Sequence, residues 1–227
     1  MGDYHKAEET PDGFPGRVYP SLEDLDALKR AADLRMANGG RSPASVLASK
    51  FDNERSALED TIEAAARDTL RAPSQAQIDA GNYPKGRFRW NGLEVVFENP
   101  AGSTRRGVTK GGKPWETELK DHYGYIRQHV SEADGDHVDV FVMYPPNALS
   151  DTVFIINQVD PATGRFDEHK VVLCANDRQE ACRVYHRNYQ SGWAGFDSVT
   201  SMHVDQFREW LDAGVRKKRA QEVPGEA

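Results

Sequence analysis

Arg87-Phe88-Arg89-Trp90-Asn91-Gly92-Leu93-Glu94-Val95-Val96-Phe97 decides the fold class. Basic and aromatic residues alternate over the first four positions, as in a half-buried strand, because successive side chains point to opposite faces. Asn91-Gly92 tolerates the positive φ of a two-residue hairpin turn, and the strand resumes through Leu93 to Phe97. Residues 138–143, 153–159 and 170–173 are further short β-branched runs, punctuated by Pro, Asn, Asp and Gly. Asp160-Pro161-Ala162-Thr163-Gly164 reads as a hairpin loop, and residues 99–113 as a loop rich in Gly, Lys and Arg. Two helices close the pattern, over residues 177–189 and 204–211, the second with Phe207 and Leu211 on one face. The polar segment beyond Gly214 reads as a frayed tail.

Upstream of the hairpin the apolar period lengthens. Ser21 and Asp24 form a capping-box-like start, and Leu22, Leu25, Leu28, Ala32 and Met36 mark one face before Gly39-Gly40. Ser42 can cap a second helix and Pro43 suits its first position. Leu47, Phe51, Leu58, Ile62, Ala66 and Leu70 then recur at helical spacing until Pro73. Each stripe needs a partner surface, either the C-terminal core or another subunit, so a homo-oligomer is one expectation. The expected organisation is a helical extension over residues 1–78, a mainly β domain with flanking helices (α+β) over residues 79–213 and a flexible tail over residues 214–227.

A chain of 227 residues with 38% hydrophobic content can bury a full core. No apolar run approaches the roughly 20 residues that span a bilayer. The polar start lacks both the apolar stretch of a secretory signal and the make-up of a transit peptide, which points to the cytoplasm and away from membranes. Net charge is -7. Ten basic and fifteen acidic residues precede residue 81; nineteen and twenty-one follow. Neither part has the positive excess of a non-specific nucleic-acid binder, so no direct nucleic-acid binding is expected. Cys174 and Cys182 form no CxxC and indicate neither a disulfide framework nor a cysteine-rich zinc site.

The densest chemical signal is Asp134-Gly135-Asp136-His137-Val138-Asp139, three carboxylates within six residues at the entrance to an apolar strand. Like charges so close raise one another's pKa unless a cation neutralises them, and oxygen-only ligands favour magnesium or manganese over zinc. A solvated acidic turn is the alternative. Ser103, Arg105, Arg106, Lys110 and Lys113, interleaved with glycines, suit phosphate oxygens, which arginine grips through paired hydrogen bonds. A mobile surface hairpin would look similar. Gly112-Lys113 precedes Pro114, so this is no Walker loop. In Phe166-Asp167-Glu168-His169-Lys170, a strand would send Glu168 and Lys170 to the same face, toward a metal and a phosphate respectively or as ordinary hairpin charges. Glu98 is a further candidate, or simply a polar strand end.

Val96-Phe97-Glu98-Asn99-Pro100, His122-Tyr123-Gly124-Tyr125-Ile126, the Asp134 to Asp139 cluster and residues 160–170 occur in the order seen in soluble inorganic pyrophosphatases. Residues 80–211 resemble that family, and more closely its divergent branch in multidomain phage and mobile-element proteins. The resemblance implies a closed, five-stranded OB-like barrel with helices packed outside. It implies magnesium (or manganese) held by Asp134, Asp139, Asp160 and Glu168 or Asp167, with Asp136 as the base that takes a proton from a bound water. Arg105 or Arg106 matches a phosphate-binding lysine, while Tyr123, Lys170 and Tyr189 match residues around the phosphates. Gln190 stands where a second lysine is expected, and Arg106-Gly107-Val108 replaces a Lys-Tyr-Glu string. Lys110 and Lys113 are the available matches to an expected arginine. Three activities follow as expectations: metal-dependent hydrolysis of pyrophosphate or a related phosphoanhydride, metal or nucleotide binding with weak turnover, and a structural role in a phage-derived protein.

Overall fold

A computed structural model describes residues 29–30, 43–108, 112–130, 136–147, 150–215 and 218–221. Residues 55–222 form one compact unit. The helix expected over residues 22–36 lies outside the described residues except at 29–30, which are helical.

Helix α1 (Pro43–Asp68) is followed by α2 (Gln75–Ala80) and the strands β1 (Arg87–Trp90), β2 (Leu93–Asn99), β3 (Thr104–Val108), β4 (Pro114–Glu118) and β5 (His122–Val130). Then come β6 (His137–Val142), β7 (Thr152–Val159), β8 (Phe166–Leu173), α3 (Arg178–Arg187), β9 (Phe196–His203) and α4 (Val204–Asp212). The β1–β2 turn has φ of 45° at Asn91 and 84° at Gly92, the positive values that an Asn-Gly dipeptide tolerates. Within residues 55–222 the expected apolar stripe of α1 is buried: Ile62 is fully enclosed and Ala66 nearly so, with Leu58 packed against them. Among the described residues no helix is long and apolar enough to cross a membrane.

The expected closed five-stranded barrel does not form. Seven strands make one sheet in the order β1-β2-β5-β6-β8-β7-β9. Closure requires the two edges of a sheet to pair with each other. Here the edges are β1, bonded to β2, and β9, bonded to β7. Nor is the stretch over residues 99–113 a simple loop, because β3 and β4 form a separate two-stranded ribbon.

All pairs in the large sheet are antiparallel except β6 with β8. The β6–β7 connection passes beyond the position of β8, which the β7–β8 hairpin then fills. Strands β6, β7 and β8 are consequently interior, and β7 is buried at every position after Thr152. Helix α3 packs on β7, β8 and β9, and α4 on β7 and β9. Residues 218–221, which the sequence places in the tail, reach the sheet: the Ala220 N–H donates to Asn157 Oδ1 at 2.8 Å. The Ala220 carbonyl accepts from Thr200 Oγ1 at 3.0 Å.

Candidate functional site

Register brings the site together. Side chains two apart on a strand share a face, so Tyr123 and Tyr125 of β5 point the same way. Tyr125 is the Cα partner of Asp139 on β6, Asp139 of Lys170 on β8, and Glu168 of Gln158 on β7. One face of four adjacent strands therefore carries Tyr123, Asp139, Lys170, Glu168 and Gln158. Gly124 between the tyrosines lets β5 approach β2, since a Cβ there would lie 1.9 Å from the Val96 carbonyl oxygen.

Lys170 is the centre of the group, with a side chain only 3% exposed. Its ammonium donates to Glu168 Oε2 at 2.8 Å and to Asp139 Oδ2. The Tyr123 hydroxyl donates to Asp139 Oδ2 at 2.6 Å and accepts from Arg105 Nη2 at 2.8 Å. The Arg105 guanidinium, carried on β3, lies 4.1 Å from the Tyr123 ring centroid and 5.4 Å from that of Trp115. On the other flank Gln158 Nε2 donates to Glu168 Oε1 at 2.7 Å. Gln158 Oε1 accepts from Tyr185 at 2.8 Å and Tyr189 at 2.9 Å, and Trp193 Nε1 donates to the Tyr185 hydroxyl at 2.8 Å.

The protonation states follow from burial set against charge. Burial alone would lift Asp139, but Lys170 and Arg105 outweigh it and hold the carboxyl below its usual range. For Glu168 burial wins, and its pKa is raised despite Lys170. Burial works against the charged forms of Lys170 and Arg105. The surrounding Asp139, Tyr123 and Glu168 overcome it and raise both. Tyr123 is kept in its hydroxyl form mainly by burial.

The other sequence candidates are placed elsewhere or play different parts. Asp136 is exposed just before β6, and Asp134 and Lys110 lie outside the described residues. Asp160 Oδ1 accepts from the Ala162 and Thr163 backbone N–H groups at 2.8 and 3.2 Å, which fixes the β7–β8 loop. Asp167 Oδ2 stands 3.4 Å from Gln158 Nε2. Glu98 pairs with Lys85 at 2.7 Å, and Lys85 lies over the Tyr83 and Tyr125 rings. Arg106 is exposed and pairs with Glu116 at 3.3 Å; Lys113 is exposed beside β4. Sequence reasoning missed Gln158, Tyr185 and Trp193. Asn157-Gln158 does interrupt the apolar run of β7, and that interruption was the available signal for Gln158.

Metal binding, expected from the clustered carboxylates, finds no supporting cluster among the described residues, which leave out Asp134. Among the described residues no group of three or more His, Cys, Asp or Glu side chains could hold a metal ion. A divalent magnesium site needs carboxylate oxygens turned to one point. Asp139 and Glu168 are turned to one point, but the ammonium of Lys170 is there. With Lys170 between them, Asp139 and Glu168 do not fit a resident divalent cation.

No curated protein and no protein of solved structure matches the chain. Residues 75–212, which carry β1 to α4 and every member of the Lys170 network, match Inorganic Pyrophosphatase as a family. On that match, which spans more than half of its length, the chain belongs to the inorganic pyrophosphatase family.

Proposed function

We propose that this chain is a pyrophosphatase-family module that binds a small phosphoanhydride, pyrophosphate or a nucleotide, and hydrolyses it weakly or not at all. Arg105 carries the reading. Its guanidinium is held by one donation to a neutral phenol and by two aromatic rings, and it makes no ion pair with a described residue. A guanidinium has five N–H donors in a planar fork, so the remaining donors suit a phosphate. Lys170, which shares the Tyr123 hydroxyl with Arg105, adds positive charge beneath the site, Tyr189 is a further candidate contact, and Arg106 and Lys113 can screen charge at the rim.

Weak turnover is the consequence of how the carboxylates are used. Metal-assisted hydrolysis needs cations to gather phosphate oxygens and acidify a water. Asp139 and Glu168 are committed to Lys170, and Asp136, the candidate base, is exposed. Family membership supports magnesium- or manganese-dependent hydrolysis as a second reading. The resemblance of residues 80–211 to the family's divergent branch supports a place among phage-related proteins.

Calorimetry with pyrophosphate and ADP, paired with a phosphate-release assay in magnesium and manganese, tests this. The expected result is binding that Arg105→Ala weakens at least about tenfold, with release far below an ordinary enzyme turnover of roughly 1–10³ s⁻¹. Release within that range, abolished by Asp136→Asn, would establish the hydrolase instead. Absence of binding to either ligand would leave only a structural role.

A further inference from the structure

We propose that Lys170 is a built-in cation that makes this site independent of divalent metal, supplying at Asp139 and Glu168 the positive charge that a metal ion would otherwise bring. The inference rests on the phosphate-binding reading for its ligand and on geometry alone for its cation. The ammonium is 2.8 Å from Glu168 Oε2 and also bonds Asp139 Oδ2, while its side chain is 3% exposed against 22% and 23% for the two carboxylates. It therefore lies beneath them, on the protein side, rather than arriving from solvent.

Backbone register fixes this position. Lys170 is the Cα partner of Asp139 and stands two residues from Glu168 on the same strand. No loop movement separates the three groups. An ion entering between the carboxylates would have to displace a buried ammonium that bonds both of them. The charges also balance without a metal: Asp139 and Glu168 are offset by Lys170 and Arg105, and Tyr123 bonds both Arg105 and Asp139. An arriving phosphate meets the Arg105 guanidinium already in place, with the Lys170 charge beneath it offsetting the two carboxylates.

Thermal unfolding of the full chain in chelator and in about 10 mM magnesium or manganese, without phosphate, tests the cation. The unfolding midpoint of the unaltered chain should move by less than about 1 °C, and that of Lys170→Met should rise by several degrees as the two freed carboxylates take up metal. Folding of Lys170→Met only when metal is present is the same result in stronger form. Lys170→Arg keeps the charge and should stay indifferent to metal. A rise in the unaltered chain as large as in Lys170→Met, or a folded Lys170→Met that ignores metal, overturns the proposal. The ligand arm uses methylenediphosphonate, a pyrophosphate analogue that is not hydrolysed. Its Kd in chelator and in magnesium should agree within roughly threefold, and a tightening by magnesium of about tenfold or more overturns metal independence. Failure of methylenediphosphonate to bind in either buffer would refute the phosphate-binding reading, and the metal titration would still decide the role of Lys170.

Discussion

Asp139 and Lys170 face each other as Cα partners in the parallel pairing of β6 with β8, so their ion pair is set by strand register. A slip of one residue in either strand would send one of them to the opposite face. The contact thus links the topology of the sheet to the charge state of the site.

Removing Lys170 leaves two half-buried carboxylates facing each other without their buried counter-ion. Lys170→Met should destabilise the metal-free chain by about 3–5 kcal/mol, the usual cost of breaking a buried pair from one side. Adding Asp139→Asn should recover part of the loss, with a coupling energy of about 0.5–3 kcal/mol between the two positions. Urea unfolding of the two single variants and the double variant measures it. Additive effects would show that the contact contributes nothing specific.

The Tyr123 hydroxyl bridges Arg105 and Asp139. Tyr123→Phe keeps the ring under Arg105 and removes the bridge. A loss of about 1–3 kcal/mol in stability is expected from the unsatisfied partners. Pyrophosphate binding should weaken by several-fold because the guanidinium is no longer aimed. Unchanged affinity in calorimetry would mean that the ring, and not the hydroxyl, positions Arg105.

Much of the sheet is legible in the sequence, and the exceptions have physical causes. The β1–β2 hairpin, β6, β7 and the later part of β8 declare themselves because each buries at least one face. Strands β3 and β4 alternate between exposed and half-buried positions, so no apolar period marks them. Strand β5 is written His122-Tyr123-Gly124-Tyr125-Ile126-Arg127, with a glycine and a charge where β-branched residues would have signalled a strand. Barrel closure depends on which edges meet, and that is a property of the assembled sheet. The same holds for the site. Glu168 and Lys170 on one face follow from spacing alone, whereas Lys170 meeting Asp139 requires the β6–β8 register, 31 residues apart in the chain.

Helix α1 contributes Ile62, Ala65 and Ala66 to the core of residues 55–222, all at most 2% exposed. A chain beginning at Arg55 should unfold cooperatively with a full core. One beginning at Ser74 removes these side chains, and the loss of Ile62 alone is worth about 1.5–3 kcal/mol of burial. Circular dichroism and urea unfolding of the two compare them directly. Equal stability would place α1 outside the cooperative unit.

His122 makes stability fall in acid within a definite window. Its side chain is buried, stacked on Phe97 at 4.8 Å and met edge-on by Tyr144 at 5.1 Å. Nδ1 accepts from the Ala101 N–H at 3.1 Å, so the ring is neutral with its proton on Nε2, which has no hydrogen-bond partner among the described residues. Protonating Nδ1 would turn that acceptor into a second donor aimed at an N–H. Burial pushes the pKa from 6.5 down to about 4, helped by Arg71 and opposed by Glu63 and Asp121. Above pH 6.5 both folded and unfolded chains carry a neutral ring, and His122 adds no pH dependence. Between pH 6.5 and 4 the unfolded chain binds a proton that the folded chain refuses, so stability drops as pH falls, by up to about 3 kcal/mol. Below pH 4 both states are protonated and this contribution levels off. His122→Asn lacks the titrating group while keeping an acceptor for Ala101. It should be less stable than the unaltered chain at pH 7, and the gap should narrow by about 2 kcal/mol by pH 4.5. Urea unfolding of both proteins at the two pH values measures the gap, and a gap independent of pH would show that His122 titrates alike in the folded and unfolded chains.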